Sequence, residues 1–96
     1  MDMGERLKEI AEYTIRNLVE EDTDVEINVV KSTKNIIIQI SVEKASRGRI
    51  IGRSGSIIDA LKTLFVSVKN NLFPDDRRKI SLEIIEEDNY FSRNSR

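Results

Sequence analysis

Ninety-six residues with 39% hydrophobic content supply one small core and no second one. Without Cys or His the chain has no disulfide, thiolate nucleophile, cysteine-ligated zinc or imidazole base, so catalysis would fall to carboxylate, Lys, Tyr or Ser groups and an enzyme is not expected. A net charge of −1 argues against gripping nucleic acid with the whole surface, and metal ligation and cofactors are not expected either.

Leu7, Ile10, Ala11, Thr14, Ile15 and Leu18 recur at three- and four-residue spacing, which predicts an amphipathic helix over 4–20. The start, Met1-Asp2-Met3-Gly4-Glu5, lacks the apolar segment of a signal peptide. No apolar run approaches the roughly 20 residues that span a bilayer, and a cytoplasmic location is expected. The acids from Glu20 to Asp24 end the helical pattern. Val25, Ile27 and Val29 then alternate with Asp24, Glu26 and Asn28, as in a half-buried strand. After the polar turn Lys31–Asn35, residues 36–42 are β-branched and almost unbroken, with Ile36, Ile38, Ile40 and Val42 on one face. Two strands joined by a short turn predict an antiparallel hairpin.

Residues 43–51 read as a short helix interrupted by Gly48, with Ala45, Ile50 and Ile51 as its apolar contacts. A glycine-punctuated loop follows, and then Ile57, Ile58, Leu61, Leu64, Phe65 and Val68 mark a second amphipathic helix over about 56–70. Asn70-Asn71 and Pro74-Asp75-Asp76 are expected to stop it. Ile80, Leu82 and Ile84 alternate with Ser81 and Glu83 in a third strand, and residues 89–96 read as a polar tail to a domain over 1–88. The sum is an α+β fold of order helix, strand, strand, helix, helix, strand, with helices on one face of a three-stranded sheet. Ile37 and Ile85 have the parity of the opposite face, where they either mark a partner or dimer interface or cover a sheet edge.

Charge is unevenly spread. Lys44, Arg47, Arg49 and Arg53 follow one another without an acid, whereas 17–30 carry five acids and no base. The basic run coincides with Gly52-Arg53-Ser54-Gly55, a helix–Gly-x-x-Gly–helix turn. Lacking Lys after Gly55, it is not a Walker loop, and its glycine spacing is not that of a Rossmann fingerprint. Two glycines bring backbone close to a sugar-phosphate strand, the next helix offers free N–H groups, and Arg53 adds a cation. Ile50, Ile51, Ile57 and Ile58 are expected to line an apolar groove with the second strand as its other wall, where bases rest while strand-edge N–H and C=O groups read their polar edges. The plainer alternative is a tight helix–helix turn with Arg53 in solvent. Asp59 and Lys62 lie one helical turn apart and read as a surface pair rather than a catalytic one.

Ile50-Ile51-Gly52-Arg53-Ser54-Gly55-Ser56-Ile57-Ile58 resembles the KH signature Ile/Val-Ile-Gly-x-x-Gly-x-x-Ile, with Ile58 at its last position. The element order is similar to the type II, prokaryotic KH fold, and the length to the small single-KH proteins of the KhpA-like (YlqC) family. That resemblance, over about 5–86, implies non-catalytic binding of single-stranded RNA and an RNA chaperone or post-transcriptional regulator. It also implies a homodimer or a heterodimer with a larger KH-containing (Jag-like) protein. It places the RNA on Gly52, Arg53, Ser54 and Gly55, flanked by Gly48, Arg49, Ile51 and Ser56. Scarce aromatics predict little base stacking and low sequence specificity. Two further readings stay open: a ribosome-associated or assembly factor, and a protein-interaction module on a KH-like fold. Arg77, Arg78 and Lys79 either extend the RNA path or are solvated loop residues.

Overall fold

The computed structural model describes residues 2–85, so the polar tail and the end of the domain lie outside the described residues. Asp2 opens the first helix with a capping box. Its carboxylate accepts the Glu5 amide at 2.8 Å, and the Glu5 carboxylate faces the Asp2 amide at 3.5 Å. Helix α1 (Met3–Arg16) buries the stripe Met3, Leu7, Ala11 and Ile15. It stops four residues short of the predicted end. Asn17 turns its side-chain amide onto the Tyr13 carbonyl at 2.7 Å, and Leu18 and Val19 reach the core from the following turn.

Strands β1 (Val25–Lys31) and β2 (Asn35–Val42) form the expected antiparallel hairpin, in register from Val25 opposite Val42 to Lys31 opposite Ile36. Its turn is narrower than predicted, because Lys31 pairs with Ile36 and Asn35 already belongs to β2. Ser32 closes it, donating to the Asn35 carbonyl at 2.8 Å. After helix α2 (Lys44–Ile51), a single 3-10 turn (Arg53–Gly55) and helix α3 (Ser56–Leu72), strand β3 (Lys79–Ile85) returns parallel to β2. A parallel neighbour needs a long crossover, and α2 and α3 are that crossover. The sheet order is β1-β2-β3, and the element order is that of the type II KH fold.

Ile36, Ile38 and Ile40 on the inner face of β2 are fully buried, with Ile27, Leu7, Ile15, Ile50 and Phe65 around them. Each such side chain contributes about 1.5–3 kcal/mol by leaving water. The outer face carries Glu26, Asn28 and Val30, then Ile37, Gln39 and Ser41, then Ser81, Glu83 and Ile85, none of them buried. Gln39 donates to Glu83 across it at 2.8 Å. Helix α3 runs past Asn70-Asn71 to Leu72. Pro74 constrains only the residue before it, and Phe73 is the first to leave helical geometry, at φ −136°. Helix α2 is continuous through Gly48 and buries Ser46, Arg47 and Ile50, while the predicted contact Ala45 is exposed.

Candidate nucleic-acid interface

The turn between α2 and α3 is built by three residues with positive φ. Gly52 sits at φ 77°, ψ 175°, a conformation essentially confined to glycine. Ser54 (φ 54°) and Gly55 (φ 79°) are left-handed. At Gly52 sterics add to this, since a Cβ there would lie 2.8 Å from the Ile57 amide nitrogen and 2.5 Å from its Cγ1. The Gly52 amide closes α2 on the Gly48 carbonyl at 2.9 Å, and the Gly55 amide bonds the Gly52 carbonyl at 3.2 Å. The Arg53 and Ser54 amides make no hydrogen bond among the described residues. The N-cap of α3 is Gly55, which has no side chain to satisfy the first-turn amides. Successive free amides in a turn with left-handed residues form a concavity suited to an anion.

The expected site residues divide by burial. Gly48, Arg49, Arg53, Ser54 and Ser56 are exposed, while Ile51, Gly52 and Gly55 are half-buried beside them. Ile57 and Ile58 are half-buried too, but Ile50 is wholly buried and belongs to the core rather than to a groove. Nothing lies within 4 Å of a Cβ placed on Gly48, so the fold itself does not require glycine there. The expected second wall is corrected. β2 is the middle strand, with β1 and β3 bonded to its two edges, so its amides and carbonyls are not free to read bases. The outer edges of β1 and β3 remain.

The basic run also separates in space. Arg47 is buried in α2, and Lys44 is exposed at the start of that helix. The Arg49 guanidinium lies 2.6 Å from the Glu20 carboxylate, contributed by the segment between α1 and β1. Both side chains are more than half exposed, and such a pair is worth about 0–1 kcal/mol, so a phosphate can displace Glu20 at small cost. Arg53 is the loop's own cation and is held by no ion pair among the described residues. Asp59, in the first turn of α3, brings its Oδ2 to 4.0 Å from a Cβ placed on Gly55.

Sequence reasoning missed a polar cluster at the far end of α3. Lys69 is buried, and its Nζ donates to the Asp76 carbonyl at 2.6 Å. The Asp76 carboxylate accepts the Arg78 amide at 2.9 Å and the Arg78 guanidinium at 2.6 Å. Arg78 is thus clipped to its own turn, whereas Arg77 and Lys79 are exposed. A signal for Lys69 existed, because Leu61, Phe65 and Lys69 share one buried stripe at four-residue spacing.

Comparison with known proteins adds an independent line. The KhpA/KhpB KH-domain family profile matches residues 8–84, which include the whole turn. The chain is similar to the RNA-binding protein KhpA of Chlamydia trachomatis, 41% identical over 81 residues, covering 84% of this chain and 99% of that one. KhpA of Chlamydia pneumoniae is 43% identical over 83 residues, with the same coverage. KhpA of Borreliella burgdorferi is 32% identical over 80 residues, covering 81% and 90%.

Proposed function

This chain belongs to the KhpA/KhpB KH-domain family, and we propose that it is a non-catalytic RNA-binding protein holding single-stranded RNA at the Gly52–Gly55 turn. The observation that carries the reading is the backbone of that turn. Gly52, Ser54 and Gly55 all take positive φ, and the Arg53 and Ser54 amides are left without partners among the described residues. A phosphodiester oxygen satisfies those amides, Arg53 supplies the charge, and Gly52, Gly55 and the open surface over Gly48 let the strand approach. Arg49, Ile51 and Ser56 flank the same strand. The turn lacks any aromatic residue, so recognition rests on the backbone and on shape, as suits an RNA chaperone or post-transcriptional regulator working in the cytoplasm.

One turn makes few phosphate contacts. A second KH domain, from another copy or from a larger KH-containing partner, raises affinity through effective concentration. The test is fluorescence anisotropy on a short labelled single-stranded RNA at low salt, comparing the native chain with Arg53→Asp/Ser54→Asp. Asp tolerates the left-handed conformation of position 54 and both positions are exposed, so the variant is expected to fold. It should bind at least about tenfold more weakly, since two carboxylates replace the phosphate's partners. Equal binding by a folded variant, checked by circular dichroism, would remove the turn from the site.

A further inference from the structure

A cluster of cations lies toward the other end of α3. An open groove of about 610 Å³ runs between the C-terminal half of α3 and the segment leading into β3. Its charged lining is Lys62, Lys69, Arg77, Arg78, Lys79 and Asp76, five cations against one carboxylate. Asp76 is committed to Arg78 at 2.6 Å and the Lys69 ammonium to the Asp76 carbonyl at 2.6 Å, which leaves Lys62, Arg77 and Lys79 as the groove's exposed cations. Lys69 is buried beneath it and Asp75 is exposed nearby without lining it. Lys62, Arg77 and Lys79 are exposed and enter no ion pair among the described residues.

The geometry points to this groove as a second site for the sugar-phosphate backbone of single-stranded RNA, separate from the Gly52–Gly55 turn. The inference rests on the RNA-binding reading given above. Three features favour a nucleic-acid strand. The charge runs along an open groove rather than converging in a closed pocket, which fits a linear polyanion. Val66 and Pro74 give it an apolar floor against which sugars and bases can rest. It also lies on the stripe of α3 that begins at the turn, because Gly55, Asp59, Lys62, Val66 and Lys69 recur at three- and four-residue spacing. Helix α3 spans 17 residues, about 25 Å, so a strand leaving the turn must continue along it to reach the groove. Asp59, exposed, lies between Gly55 and Lys62 on that stripe.

The test uses labelled oligouridylates of about 5 and about 15 nucleotides, since a KH turn clamps about four. The native chain is compared with the turn variant above and with Lys62→Gln/Arg77→Gln/Lys79→Gln, whose substituted side chains are all exposed. The expected result is that the glutamine variant binds the short RNA as the native chain does and the long RNA at least about fivefold more weakly. Its log affinity against log salt on the long RNA should be shallower by about 2, at roughly 0.7 per phosphate contact. Unchanged affinity and slope on the long RNA would assign the patch to another kind of partner, such as an acidic protein surface, and overturn the proposal. Loss by the turn variant alone leaves the main reading standing and removes this one. Loss by the glutamine variant alone does the reverse, and no binding by the native chain removes both. Thermal melts of each variant report that the fold is kept.

Discussion

An alanine at position 52 meets two obstacles, a φ of 77° and the Ile57 amide nitrogen and Cβ, 2.8 and 2.9 Å from the added Cβ. At position 55 only the first applies, since the nearest atom to a new Cβ is 4.0 Å away. Gly52→Ala should therefore cost about 3 kcal/mol, combining backbone strain with overpacking. Gly55→Ala should cost only about 1 kcal/mol, the ordinary price of a left-handed L residue. Urea unfolding midpoints decide this, and equal losses at the two positions would contradict the steric account. The glycine spacing was legible in the sequence because no other residue tolerates these angles as readily. The left-handed Ser54 was not, since serine carries no such preference and takes the conformation from the turn around it. The pairing of Arg49 was hidden for another reason. Its partner, Glu20, is 29 residues away, so a run of cations that looks unopposed along the chain meets its acid only in space.

At the scale of elements, the connection from α3 to β3 hangs on Asp76. The hydrogen bonds from the Arg78 guanidinium and amide bring its carboxyl from the ordinary 3.8 down to about 2, and the Arg78 guanidinium is held above its usual value in return. A folded-state value below the unfolded one contributes stability that is complete above the ordinary carboxyl range and is lost as pH falls through about 2. The melting temperature of the native chain should thus fall more steeply between about pH 4 and pH 2 than that of Asp76→Asn, which keeps the turn's acceptor without its charge. Parallel melting curves would show that the pair does not carry acid sensitivity. Element types were readable from periodicity alone, because the apolar stripes of α1 and α3 and the alternation of β1 and β3 are strong. Ends were less so. Asn17 terminates α1 by a side-chain bond that competes with the helix, and α2 has no apolar stripe to fix which of its faces is buried.

Over the whole molecule, a net charge of −1 gives no general attraction for RNA, so binding depends on local contacts and is sensitive to salt. If the turn alone engages about two phosphates, affinity for a short RNA should fall roughly sevenfold on a fourfold rise in salt. A titration across salt concentrations measures this, and an affinity indifferent to salt would exclude a phosphate-based mode. The two-sided sheet matters at the same scale. One face is packed by helices, while the other exposes Val30 and leaves Ile37 and Ile85 half-covered among polar neighbours.

The sequence by itself determined the element order, the isoleucine-lined inner face of β2 and the Gly-x-x-Gly turn with its cation. Each is a local pattern, set by side-chain period or by a backbone angle that few residues accept. Only the tertiary structure decided that β3 lies parallel to β2 and makes it the middle strand, closing the edge that was expected to read bases. It also decided that Arg49 is paired with Glu20, that Ile50 is core, and that Lys62, Arg77 and Lys79 line one groove. These are meetings between residues far apart along the chain, and no period within a single segment encodes them.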